Sequence, residues 1–375
     1  MSKVLEKRRS CLELTSKLTR DKGYFTIQEV VDAIGIPRST AQDWINRLKS
    51  EGCIELVEEG SGRRPARYIR TMRRLPTSAC NRIFTTVDGD TVEIIHECRS
   101  EGGAAFCEYE HGRSGGAVID VKRDGVILRE RAIACKREVE VGRYPKASVG
   151  ITEVRIEGEL VAQRLKCFGG PAYSLTEMMQ SAHGVLDVRI KRPDDYIEGE
   201  ILTEAMEHVI IGVDDTDREG EGATFALTLS LLDKLSSLAY VERIGHKVGF
   251  LNPKIQQKTA GNAASIIELG VKSEKLDAVL KTAVTYLEKE TLSERTGMAI
   301  RVGFKPIPEL TRFASKAREG EVTVDEALKV ARLSGVDVIE VTGRLGIIGA
   351  VAALGLSNFG PDVLMDPHKV LIPYS

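Results

Sequence analysis

Three aspartates, Asp214, Asp215 and Asp217, crowd into the stretch VDDTDREGEGAT, between an apolar run and a helical run. Carboxylates packed this closely repel one another, and a divalent cation relieves the repulsion. Mg2+ is normally held by one or two carboxylates together with substrate phosphates. Gly212, Gly220 and Gly222 allow a tight turn that brings backbone N–H groups toward a ligand. A helix beginning just after them would favour an anion at its N-terminus. The chemistry these residue types suit is a Mg2+–nucleotide site. The three aspartates would face the metal directly or through water, and Thr224 would offer a hydroxyl near the phosphates. Strand-end aspartates also cap turns and helices without any ligand, so the segment alone admits both roles. It contains no GxxxxGK[ST] and is not a Walker A loop.

The elements that would position these residues follow from periodicity. His208–Val213 is nearly all apolar, as a buried strand requires. Ala223, Ala226, Leu227, Ser230, Leu231, Leu235 and Leu238 recur at helical spacing. The unit is therefore strand, Gly-containing loop, helix. Farther on, Leu276–Lys289 and Thr323–Ser334 are amphipathic helices, and GMAIRVGF and VDVIEVT are strands. Residues 343–355 form a Gly-bounded turn and an apolar helix whose small residues, Gly346, Gly349, Ala350 and Ala353, permit close packing. Packing and ligand contact are equally open for them. The alternation suits an α/β or α+β lobe.

Three ordered blocks give this region a family resemblance: VDDTD with Thr224 seven residues after its last Asp, FLNPKIQQKTAGNAA (Phe250–Ala264) and GRLGIIGAVAALG (Gly343–Gly355). Together, over about 206–356, they resemble the archaeal agmatinylcytidine synthetases, which modify an isoleucine tRNA. The resemblance implies an archaeal source, Mg2+ and ATP as cofactors, and a kinase-like plus ferredoxin-like lobe. It implies that Asp214, Asp215 and Asp217 bind Mg2+–ATP, that Thr224 matches a threonine implicated in phosphoryl transfer, and that Lys258, Thr259, Gly261 and Asn262 help form the nucleotide pocket. Gly222, Gly346 and Gly349 complete the expected nucleotide-contacting set. The chain departs from the family where Cys-Thr-Thr becomes Ala223-Thr224-Phe225 and where a basic residue becomes Ala260. With only 20 residues after Gly355, the family's OB domain and zinc ribbon are not expected.

At the other end, residues 1–74 hold sixteen Lys and Arg against ten Asp and Glu, although the whole chain has a net charge of −2. A basic end on an acidic body suggests a module that faces an anionic partner. Residues 9–72 follow the order helix, helix, turn, helix, hairpin. Thr26 caps TIQEVVDAI and Gly35 ends it. In the next helix Ala41, Trp44, Ile45 and Leu48 line a buried face. Arg38, Ser39, Thr40, Gln42, Asp43, Asn46 and Arg47 lie opposite, most of them types that contact phosphates and base edges. Strands Ile54–Glu58 and Ala66–Arg70 flank a tip carrying Arg63 and Arg64. This pattern resembles the winged helix-turn-helix of prokaryotic regulators. It implies nucleic-acid binding, with duplex DNA favoured because a recognition helix fits its major groove, and a possible homodimer.

Between the two, residues 75–205 predict a β-rich α+β domain. DTVEIIHEC and GAVIDVKRDGVILRERAIA are strands, with a hairpin turn at Asp124-Gly125, and YSLTEMMQSAHGVLDV is a short helix and a strand. Cys80, His96, Cys98, Cys107 and His111 offer zinc-type donors, but their spacing fits no familiar knuckle and favours core cysteines. CFGGPAYS is expected to be a plain turn. The seven cysteines include no CxxC pair, nothing approaches 18 consecutive apolar residues, and the N-terminus lacks a signal-peptide core. These features exclude a membrane partner and predict a cytosolic protein with reduced thiols.

The chain is thus expected to be a multidomain α+β protein: a winged helix (1–74), a β-rich middle (75–205) and an ATP-binding domain (206–375). The expected function is Mg2+–ATP-dependent phosphoryl transfer to an unidentified acceptor, in a protein that binds nucleic acid. The alternative is a DNA-binding regulator that senses a nucleotide without turnover.

Overall fold

In the computed structural model, residues 3–50, 53–62, 64–70, 78–169, 179–191, 193, 196–256, 258 and 261–372 are described. Arg63, Thr259 and residues 173–178, the greater part of the short helix expected in YSLTEMMQSAHGVLDV, lie outside them. The chain divides into two compact units, residues 1–78 and 79–375.

In the first unit, α1 (Lys3–Lys22), α2 (Ile27–Ile34) and α3 (Arg38–Ser50) precede a hairpin of β1 (Glu55–Glu58) and β2 (Arg67–Ile69). Thr26 and Glu29 form a reciprocal capping box at the start of α2, and Gly35 ends it in the left-handed conformation at φ 68°. Ala41, Ile45 and Leu48 of α3 are buried with Phe25, Val30 and Ile54. Trp44 packs against this core while partly exposed.

The second unit is built on a 12-stranded sheet. Its first elements are β3 (Cys80–Asp88), β4 (Thr91–Cys98), α4 (Glu101–Ser114), β5 (Val118–Asp124), β6 (Ile127–Ile133), β7 (Val149–Glu157), β8 (Leu160–Cys167) and β9 (Val185–Lys191). The β5–β6 hairpin turns at Gly125-Val126, because Asp124 itself pairs with Ile127. α4 did not show in the sequence periodicity. Its buried residues are Ala104, Cys107, Glu110 and His111, so no apolar stripe marks its inner face.

β10 (Ile197–Asp214) is an 18-residue strand. Its first half pairs with β8 and β9; its second half pairs with β12 and β13, and residues 205–207 run parallel to β3. The domain boundary expected at 205/206 falls inside this continuous strand. Beyond it come α5 (Thr224–Ser236), β11 (Val241–Phe250), β12 (Ala263–Val271), α6 (Leu276–Glu290), β13 (Gly297–Val302), α7 (Pro308–Glu319), α8 (Val324–Leu333), β14 (Asp337–Glu340), α9 (Ile347–Leu356) and α10 (Pro361–Leu364). From β10 to β13 the order is β-α-β-β-α-β, with strands side by side as β11-β12-β10-β13, the split βαβ arrangement.

α9 is apolar all round and almost wholly buried, as such a helix must be. Glycines let it sit deep: a Cβ at Gly212 would strike the Ala350 carbonyl, and one at Gly355 the Leu310 carbonyl. α9 is therefore held between β10 on one side and α7 on the other. Elsewhere in this unit a buried ion network replaces apolar packing. Arg129 bridges Glu93 and Glu268 at 2.7 Å each, and Lys247 reaches Glu268 at 2.6 Å. Among the described residues no helix is long and apolar enough to cross a membrane.

Candidate active site

The strand, loop and helix expected around the aspartates are β10, residues 215–223 and α5. β10 delivers Asp214 at its last residue, and the chain turns immediately, with Asp215 at φ 59°. A residue other than glycine rarely adopts this left-handed conformation, which asparagine and aspartate tolerate best. Two residues far along the chain hold it there. Ser293 Oγ donates to Asp215 Oδ1 at 3.0 Å, and the Arg295 guanidinium reaches the carboxylate at 3.3 Å. Thr296 Oγ1 donates to the Asp215 carbonyl at 2.8 Å. None of these three was legible beforehand. The segment TLSERTG carries only the weak signal of polar residues ahead of a strand, and Thr296 is fully buried.

Thr224 opens α5 with its side chain buried. Its hydroxyl accepts from the Thr216 N–H at 3.3 Å and from the Thr216 hydroxyl at 3.1 Å. It lies 3.4 Å from Asp217 Oδ1, to which it donates. A hydroxyl aimed at a carboxylate at a helix N-terminus has a proton acceptor beside it and a favourable place for anionic oxygens in front. Gly222, at φ 85°, lies against Asp217, where a Cβ would crowd both Asp217 and Leu292.

Two adjoining clefts of about 330 Å³ each meet at Asp214 and Asp215. One is lined by Asp217, Gly222, Thr224, Lys258, Gly261 and Asn262 among others. The other runs past Ile255, Asn262 and Glu321 to Leu345, Ile348 and Gly349. The 251–262 loop between them is pinned where Asn262 Nδ2 donates to the Asn252 carbonyl at 2.8 Å and the Leu251 N–H to the Asn262 carbonyl at 2.8 Å. Gly349 touches the Asp214 carboxylate. Gly346 lies behind it, where a Cβ would meet the Asp214 carbonyl and the backbone of Gly297. The structure thus brings together the described members of the expected set, and it gives Gly346 a packing role rather than a place on the cleft wall.

Burial, reinforced by the charges of Asp215 and Asp217, pushes the Asp214 carboxyl up to about 8. Burial also raises Asp215, with Arg295 and Ser293 opposing the shift. Carboxyls in this condition favour whatever brings positive charge to them. Among the described residues, no three or more acidic, His or Cys side chains form a ready-made metal cage. A cation here would need ligands beyond the protein, and phosphate oxygens are the usual ones for Mg2+.

Over 276 residues the chain is 31% identical to the uncharacterized protein MJ0921 of Methanocaldococcus jannaschii, an alignment covering 71% of this chain and 89% of that protein. The chain belongs to the MJ0921 family. Within it, residues 210–276 match the model of the TiaS TCKD domain. The Pyrococcus horikoshii isoleucine-tRNA 2-agmatinylcytidine synthetase, TiaS, is 35% identical over 166 residues, 41% of this chain. This MJ0921-family chain therefore carries an agmatinylcytidine synthetase-like domain. It spans only 37% of the length of that TiaS. A crystal structure of TiaS in complex with its isoleucine tRNA and ATP overlaps 40% of this chain and 36% of the TiaS chain, at 25% identity and a TM-score of 0.37.

Proposed function

We propose that residues 206–356 bind Mg2+–ATP at the joined clefts and transfer its γ-phosphoryl group to the Thr224 hydroxyl or to an acceptor oxygen seated beside it. The observation that carries this reading is the contact of the Thr224 hydroxyl with Asp217 at the N-terminus of α5. The new P–O bond forms as the bond to ADP breaks, and the hydroxyl proton passes to Asp217. Asp214 and Asp215 would hold the cation and Lys258 would meet the phosphates, with Gly261 and Asn262 shaping the pocket; Thr259, outside the described residues, is the further phosphate contact the resemblance implies. Mg2+, when bound, neutralises charge on the β- and γ-phosphates. Positioning and charge stabilisation do the rest.

The acceptor belongs to nucleic acid, and RNA is the class to test first, because the relatives that share this domain are synthetases of a tRNA. The first unit has the element order of a winged helix, and α3 supplies the contact. Its Arg38, Ser39, Asn46 and Arg47 are exposed, and Thr40 and Gln42 are partly so. Arg64 stands at the hairpin tip, where its carbonyl accepts from the Ser61 N–H at 3.1 Å. Duplex DNA, favoured by the motif alone, gains nothing from the comparisons. The protein acts in the cytoplasm.

The test is incubation with γ-labelled ATP and Mg2+, with and without RNA. Label is expected on the protein or the RNA, and Thr224→Ala and Asp217→Asn each lower the rate at least about 100-fold, the scale of a lost general base. ATP that binds but is never turned over rejects the catalytic reading. In parallel, Arg38→Ala and Arg47→Ala are expected to reduce the salt dependence of RNA binding by about one unit of slope per lost contact. Tighter binding to duplex DNA than to RNA would reverse the choice of acceptor.

A further inference from the structure

Far from the aspartates, a polar cluster is buried where β3, β4, β6 and α4 meet. Cys80 and Cys98 are paired across β3 and β4, and His96, two residues before Cys98, shares its face. Cys107 and His111, one turn apart on α4, are both buried, as are the other three, all at 4% exposure or less. Cys98 lies within hydrogen-bonding range of both Cys80 and Cys107. The Cys80 sulfur is 3.9 Å from His96 Nδ1. Glu130 of β6 stands behind the imidazoles, 3.0 Å from His111 Nδ1 and 3.6 Å from His96 Nε2. His96 Nε2, His111 Nε2 and Glu130 Oε1 are buried without a hydrogen-bond partner among the described residues.

As a hydrophobic core this cluster is poor. Each buried polar atom left unsatisfied carries the full penalty of its lost hydration, and three thiols, two imidazoles and a carboxylate are gathered here in one buried cluster. We propose that Cys80, Cys98, Cys107 and His96 Nδ1 bind a structural zinc ion that pins α4 to the sheet. Sulfur and imidazole are the donors zinc favours, and four of them close a tetrahedral site. Glu130 lies 3.6 Å from the far ring nitrogen, and its charge favours a proton there, which leaves the Nδ1 lone pair toward the sulfurs. The sulfurs touch one another instead of forming a ready-made cage. Binding requires the cysteine side chains to turn toward a common centre at Zn–S distances of about 2.3 Å.

The full chain, purified from zinc-supplemented medium and dialysed, is expected to carry one zinc ion by elemental analysis. Cys98→Ser and Cys107→Ser should reduce it to near zero, while Cys53→Ser, in the first unit, should leave it unchanged. Because the two variants could fail to fold, the unmodified chain is also tested after metal exchange. Cobalt should give a sulfur-to-metal charge-transfer band and the d–d bands of a tetrahedral site. A full chain without zinc that shows no such bands with cobalt overturns the assignment. So does a disulfide joining any two of the three cysteines in the purified protein, or full zinc retention in a folded Cys98→Ser chain.

Discussion

Gly349 lies so close to the Asp214 carboxylate that a single methyl group between them would overlap it. The contact packs a glycine of α9 directly against the last residue of β10, with no room for a side chain between the buried helix and the acidic strand end. Gly349→Ala must push α9 off β10 or turn the Asp214 side chain away. The expected cost is about 1–3 kcal/mol of stability, together with lost ATP affinity, read by chemical denaturation and calorimetry. An alanine variant with unchanged stability and affinity would mean that the helix gives way without disturbing the cleft.

Asp215 makes a prediction about backbone rather than charge. Its φ of 59° suits Gly, Asn and Asp and resists Ala. Asp215→Ala is therefore expected to be about 1–2 kcal/mol less stable than Asp215→Gly, although both lose the same contacts to Ser293 and Arg295. Equal denaturation midpoints for the two would show that the loop relaxes out of the left-handed conformation.

Asp214 makes stability depend on pH in the direction opposite to an ordinary salt-bridged carboxylate. Its folded value of about 8 lies above its value in the unfolded chain. Between pH 4 and 8 the folded state holds a proton that the unfolded chain has released. Stability without ligand should fall as pH rises through this window, and Asp214→Asn should flatten the fall. Thermal melts of the two proteins across the window measure the difference. Parallel curves would place the Asp214 carboxylate in better contact with water than its surroundings suggest.

Arg129 is expected to be the most costly single residue to truncate. Burial alone would raise Glu93 and Glu268, yet Arg129, with Arg131 beside Glu93 and Lys247 beside Glu268, holds both below the usual carboxylate range. Their stabilisation is present above the unfolded value near 4.5 and is lost as pH falls below it. Arg129→Ala leaves two buried carboxylates short of a partner and should cost about 3–5 kcal/mol. In this variant the loss of stability toward acid pH should shrink, because Glu93 and Glu268 are no longer held so far below their unfolded values. A shallow loss would mean that Arg131 and Lys247 suffice.

The parts of this protein that were legible in its sequence are those with local rules. The Thr26 cap of α2, its end at Gly35 and the strand–loop–helix around Asp214 follow from neighbours a few residues apart, and so does the apolar α9. What stayed hidden depends on residues distant in sequence. Ser293 and Arg295 reach Asp215 across some eighty positions, and no periodicity announces them. α4 escaped because its inner face is built from Ala104, Cys107, Glu110 and His111, which leave no apolar stripe to read. The cysteine and histidine residues were visible one by one, but two strands and a helix bring them together, and no short spacing announces that.

The length of β10 bears on how this protein could have been assembled. Its first residues complete one sheet segment and its last ones present the acidic cluster, all on one unbroken run of backbone. In this chain the agmatinylcytidine synthetase-like domain and the sheet before it share one strand, so neither half of β10 can shift without the other. A cut at residue 206 would remove the half of β10 that pairs with β8 and β9 and leave the acidic end framed by β12 and β13, so the two halves of one strand serve two separate neighbourhoods.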